Sequence, residues 1–130
     1  MSIFRPSDQK LRVTLLVLPD SSMMSLASAL DTMRAANRIA SSDLFEWEII
    51  TLNGKPARLT CDISIEPDAT LDEHSHGDVL IVIASFHQQQ HAGPAHLKLI
   101  KRVARNFSMV GGIEAGSWIL ARSGLLERKS

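Results

Sequence analysis

The chain has 130 residues, 45% of them hydrophobic, and its 14 basic and 14 acidic side chains cancel to a formal net charge of zero. That length suits one domain with a core of its own, and the balanced charge argues against nucleic-acid binding through a broad phosphate-neutralising surface. A single cysteine, Cys61, excludes an internal disulfide; no apolar run reaches bilayer length and MSIFRPSDQK lacks a signal-peptide core, so a cytoplasmic location without membrane contact is expected.

Residues 1–10 form a polar lead-in, and 11–130 form the domain. Leu11 to Leu18 (LRVTLLVL) is a nearly continuous apolar run closed by Pro19-Asp20, as expected of a central strand covered on both faces. Ser21-Ser22 can cap a helix that runs to about Ala40, with Met23, Leu26, Ala27, Leu30 and Met33 as its buried stripe. Asp31 lies beside that stripe, and its plainest partner is Arg34 three residues on.

Glu46 to Leu52 predicts a second strand, and Asn53-Gly54-Lys55-Pro56 a turn. Arg58 to Glu66 alternates, with Leu59, Cys61, Ile63 and Ile65 on one side, predicting a short antiparallel or edge excursion with Cys61 packed as a small hydrophobe. Pro67 to Gly77 is a polar connection with room for one helical turn. Asp78 to Ala84 contains five consecutive large aliphatics and is the clearest strand. Ser85 to Gly93 is a loop, and Pro94 opens a helix whose buried stripe is Leu97, Ile100, Val103, Ala104 and Phe107. Lys98, Lys101, Arg102 and Arg105 face out from it as a solvated surface.

The stretch that organises the chain is SMVGGIEAGSWIL, residues 108–120. Val110 and Ile113 suit a strand, and Trp118, Ile119, Ala121 and Leu125 recur at helical spacing. A strand entering a helix through a glycine-rich turn places one side chain at the sheet's carboxyl edge, and here that residue is Glu114. The turn resembles a nucleophile elbow, but taken alone it equally suits an ordinary connection with Glu114 as a first-turn acid. The order strand, helix, strand, small hairpin, strand, helix, strand, helix implies an α/β fold: a parallel sheet sandwiched between helices. Ligands in such sheets bind beyond the carboxyl ends of the strands, where residues 19–24, 85–88 and 114–116 converge.

The candidate chemistries are few. His74 and His76 lie in a polar loop, and His87 and His91 are four apart. No Cys, Asp or Glu cluster accompanies them in a recognisable pattern, so they read as solvated side chains and no metal is expected. Glu114 cannot serve as a thiolate or alkoxide, Ser117 lies beyond the turn apex, and no phosphate-cradling loop or dinucleotide fingerprint is present. No catalytic residue and no cofactor follow from the residues.

Four segments carry a family resemblance: VTLLVLPDSSMMSLASALDTMRAANRIA (13–40), EWEIITLNGKP (46–56), DVLIVIAS (78–85) and GGIEAGSWILARSGLL (111–126). Through them the chain resembles the N-terminal ligand-sensing domain of GlxA-type AraC-family transcriptional regulators, a domain similar to the DJ-1/PfpI, class I glutamine amidotransferase-like fold. The resemblance implies a flavodoxin-like sheet that is incomplete at the C-terminus, because the family's domain continues past the point matching Ser130. It also implies a homodimer, and contact with DNA only through a helix-turn-helix region absent from this chain.

In enzymes of the wider superfamily the elbow holds a catalytic cysteine. Glu114 in its place implies a sensor rather than an enzyme. Asp31 stands where relatives carry an acid on the first helix, directed at the elbow. Together with Ser85, Phe86, Ala115 and Trp118, the two acids would suit a cationic effector such as an amine, amino acid or quaternary ammonium compound, the aromatic rings adding cation–π attraction. The alternatives are a DJ-1/PfpI-superfamily hydrolase or lyase acting through the elbow, and a dimerisation module with no ligand.

Overall fold

The structure, a computed structural model, describes residues 10–125. Five parallel strands form the sheet: β1 (Leu11–Val17), β2 (Phe45–Thr51), β5 (Ala69–Thr70), β6 (Val79–Ala84) and β7 (Met109–Glu114), in the order β5-β2-β1-β6-β7. A separate antiparallel pair, β3 (Ala57–Arg58) and β4 (Ser64–Ile65), makes the small hairpin. The helices are α1 (Met23–Ala40), the single turn α2 (Gln88–His91), α3 (Pro94–Val103) and α4 (Gly116–Ser123).

The sheet is covered on both faces because β1 and β6 are apolar at successive positions and successive side chains alternate between faces. Leu16, Leu18, Leu80, Val82 and Ala84 pack with Ile100, Val103 and Phe107 of the α3 segment and Ile119 and Leu120 of α4. Val13, Leu15, Val17 and Ile83 pack on the other face with Leu26 and Met33 of α1 and with Ala57 and Leu59 of the hairpin. Helix α1 starts where the sequence predicts: Ser22 is extended and its hydroxyl accepts a hydrogen bond from the Ser25 N–H. Among the described residues, no helix is long and apolar enough to cross a membrane.

Two expectations fail here. Residues 67–77 hold no helical turn; they hold β5, which pairs in parallel with β2. Asp68 initiates that pairing. Its side chain accepts from the Ile49 N–H at 2.8 Å, and its own N–H donates to the Ile49 carbonyl at 2.7 Å. Cys61, expected in the apolar phase, is exposed. The chain reverses there: Asp62 has φ +68°, and its N–H donates to the Leu59 carbonyl at 3.0 Å. The turn resets the alternation, so Leu59 stays in the core while Ile63 is half exposed at 52%.

Candidate functional site

The candidate site is built where β1, β6 and β7 end. Glu114 closes β7, opposite Ala84 at the end of β6, and has φ +53°. A glutamate in the left-handed region costs on the order of 1 kcal/mol, so the surroundings must impose the turn. They do so through backbone. The Ala115 N–H donates to the Ala84 carbonyl at 2.8 Å, and α4 begins at the next residue.

Two glycines make this closeness possible. A Cβ on Gly116 would lie 1.8 Å from the Val82 carbonyl oxygen, and a Cβ on Gly112 would lie 2.4 Å from the Ser117 nitrogen. The sequence therefore brings helix against strand by omitting side chains at two positions, and the chain must bend at Glu114. The elbow expected from GGIEAG is present, and Glu114 sits at its apex rather than within unbroken helix.

The carboxylate of Glu114 is held by two hydroxyls. Ser85 Oγ, just past β6, donates to Oε2 at 2.6 Å, and Ser25 Oγ, in the first turn of α1, donates to Oε1. Ser85 Oγ in turn accepts from the Ser22 N–H at 3.2 Å. Three elements thus fix one acid at the sheet's carboxyl edge. As an acceptor of two hydroxyl protons it presents fixed negative character there. Phe86 and Trp118 follow Ser85 and Ala115 in the chain and are 63% and 55% exposed.

Of the residues expected at the site, Ser85, Glu114 and Ala115 are brought together by hydrogen bonds, and Phe86 and Trp118 flank them in sequence with exposed rings. Asp31 is not brought to this cluster. It is exposed and paired with Arg34 at 3.2 Å. Ser25 is the α1 residue that reaches Glu114, and six residues further along a helix a side chain points about 120° away and starts roughly 9 Å further up the axis. The sequence reading places Ser22 at the helix cap and within the converging stretch 19–24, without its contact to Ser85, and it misses Ser25. The available signal was a serine at position 25, immediately before Leu26 in the buried stripe.

A second cluster lies beyond the ends of β1 and β6. His87 Nδ1 and His91 Nε2 lie 3.1 and 2.9 Å from the same oxygen, Oδ2 of Asp20. The expectation of solvated loop histidines holds for His74 and His76, which are exposed, and fails for His91, whose side chain is only 24% exposed; His87 stays exposed, but its ring meets the same carboxylate as that of His91. The ring hydrogen bonds, first from His91 and then from His87, hold the Asp20 carboxyl below its ordinary pKa. Backbone geometry fixes the arrangement. Asp20 and His87 have φ +62° and +57°, the Asp20 N–H donates to the Arg58 carbonyl at 2.8 Å, and the His91 N–H donates to the His87 carbonyl at 3.1 Å.

Comparison with known proteins gives this geometry a context. No family model matches the chain. The HTH-type transcriptional regulator CdhR of Pseudomonas aeruginosa is 35% identical over 112 residues, a match covering 86% of this chain and 33% of that protein. The HTH-type transcriptional regulator GlxA of Rhizobium meliloti is 27% identical over 122 residues, covering 91% and 37%. The chain thus spans about a third of the length of the curated relatives it matches. Among solved structures, an AraC family transcriptional regulator from Pseudomonas putida superposes with a TM-score of 0.76 at 25% identity, covering 89% of this chain and 62% of that one. A ThiJ/PfpI family protein from Pseudomonas syringae superposes with a TM-score of 0.73 at 19% identity, covering 93% and 49%, a likeness of fold.

Proposed function

Starting from a chain that has the DJ-1/PfpI-like fold and whose homologues are AraC/GlxA-type helix-turn-helix regulators, we propose that it is the effector-sensing domain of such a regulator. In this role it binds a cationic small molecule at the elbow and passes the change to a DNA-binding region outside this chain. The observation that carries the proposal is the serine-gripped carboxylate of Glu114 at the apex of the turn. The fold aims a side chain at this point, and the resemblance implies a cysteine there in the superfamily's enzymes. Here an acid occupies it, and the chain's one sulfhydryl, Cys61, lies in the hairpin turn and not at the apex. That chemistry supports recognition of charge rather than acyl transfer.

An ammonium about 4 Å from a carboxylate near a protein surface gains roughly 4 kcal/mol of Coulomb energy before desolvation is counted. Solvent access to Glu114 leaves a smaller net attraction. The exposed rings of Phe86 and Trp118 supply faces for a cation, each worth about 0.5–1 kcal/mol at such a site. Asp31, with Arg34 as its partner, has no part in the contact within one chain. We further propose that the domain works as a homodimer, which light scattering of the chain in solution tests.

Isothermal titration of an amine, amino-acid and quaternary-ammonium panel tests the ligand class. A cation that binds the native chain should lose about tenfold or more in affinity on Glu114→Gln, in keeping with loss of a charge-assisted contact. Affinity unchanged from the native chain in Glu114→Gln and Glu114→Ala would remove Glu114 from the site, and a preference for anions across the panel would overturn the ligand class.

A further inference from the structure

We propose that Asp20, His87 and His91 form a binding site for a divalent transition-metal ion of the zinc class, separate from the elbow acid. Two imidazoles and one carboxylate are donors such ions take, and two histidines with one carboxylate are one of the ligand sets of open zinc sites. The three ligand atoms all lie within 4.8 Å of one another. In a tetrahedral zinc site with bonds of about 2.0–2.1 Å, neighbouring donor atoms stand roughly 3.3 Å apart. The two nitrogens here stand 3.1 and 2.9 Å from the carboxylate oxygen. Those two spacings lie within a few tenths of an ångström of the tetrahedral value. On binding, each ring nitrogen gives up the proton it now directs at Asp20, to solvent or to the other ring nitrogen, so that a lone pair faces the ion.

The site is prearranged by the fold. Asp20 ends the turn after β1, and its backbone is tied to the hairpin through Arg58 and to the β6 loop through the Phe86 N–H at 3.3 Å. His87 precedes and His91 ends a single helical turn closed by the His91-to-His87 backbone bond, so both residues stand on one side of it, four apart. Two of the three ligand residues hold left-handed backbone angles without being glycine. Surroundings that enforce such conformations leave the donors little freedom to lose on binding.

Three protein ligands leave at least one coordination position for water or a small donor molecule. Of the three ligand residues, His91 also lines a cleft of about 170 Å³, with Pro19, Leu52, Lys55, Gln90 and His96. None of this depends on the effector assignment: Glu114 does not belong to the triad, so loss of one site leaves the other in place.

The experiment is calorimetric titration of the tag-free chain with Zn²⁺ alone, paralleled by Co²⁺ monitored by visible absorption. One Zn²⁺ per chain is expected, with Co²⁺ giving the intense bands of a four- or five-coordinate ion. Asp20→Asn, His87→Ala and His91→Ala should each weaken binding by at least about tenfold. Joint replacement of His74 and His76 should leave it unchanged. Should a triad variant fail to fold, the ring proton signals of His87 and His91 in the native chain serve instead, since both must shift in step with one equivalent of Zn²⁺. Absence of saturable binding, a cobalt spectrum of the aquo ion, or affinity that survives all three triad substitutions would each overturn the site and leave a hydrogen-bonded triad only.

Discussion

Replacing Gly116 by alanine is the most direct probe of how the elbow is built. A methyl carbon added there would fall 1.8 Å from the Val82 carbonyl oxygen and 2.7 Å from its carbonyl carbon. Non-bonded heavy atoms rest at roughly 3.5 Å, so the added group is more than an ångström too close. The obstacle is backbone of β6, which is paired on both sides by β1 and β7 and cannot rotate away. Helix α4 must lift, opening its contacts through Ile119 and Leu120, both almost fully buried. Overpacking of this kind costs about 1–3 kcal/mol and exceeds that when backbone is the neighbour. Alanine's better helix propensity returns at most about 1 kcal/mol. A net loss of about 2–3 kcal/mol follows, which for a chain of this size lowers the melting midpoint by roughly 8–12 °C. Gly111→Ala is the control: nothing lies within 4 Å of its added carbon. It should stay within about 1 kcal/mol of the native chain. Circular-dichroism melts and urea titrations of both variants decide the matter. A Gly116→Ala chain melting within about 2 °C of native, or a Gly111→Ala chain as unstable, would refute the packing argument.

Three further outcomes are expected. Asp31→Asn should change stability by no more than about 0.5 kcal/mol in urea titration, because its bridge to Arg34 joins two exposed side chains. Cys61 should react fully with a thiol reagent in the native state, without denaturant; a rate that required unfolding would restore a packed sulfhydryl. In a carbon-detected NMR titration without metal, the Asp20 carboxyl should titrate below 3.8, the ordinary value for an aspartate side chain. A depressed folded pKa means that its contribution to stability is present above the unfolded value and is lost as pH falls through the folded one, so removing it by Asp20→Asn should flatten the acid limb of stability.

Much of the fold is legible in the sequence because it is written locally. The aliphatic runs of β1 and β6, the serine cap of α1 and the glycines before and after Glu114 each state their structure within a few residues. The elbow acid is legible for that reason. What escaped is non-local or depends on a single turn. Asp20 meets His87 and His91 across sequence separations of 67 and 71 residues, which no spacing rule reveals. Ser25 meets Glu114 across 89. Strand β5 has only two residues and exists through the Asp68 bonds to Ile49. Simple alternation misplaces Cys61 because one left-handed residue, Asp62, shifts the phase of the hairpin.

The bend at Glu114 is enforced by main-chain contacts, the Ala115 bond to Ala84 and the seating of Gly116 on Val82, and not by the acid that occupies it. Frame and fitting are therefore separable. Another residue at this apex would be held out at the same spot, facing the same two serines, without any rebuilding of the strands beneath. A lineage can exchange the group displayed there and change the chemistry that the apex presents, while the cost of holding the turn stays where it was.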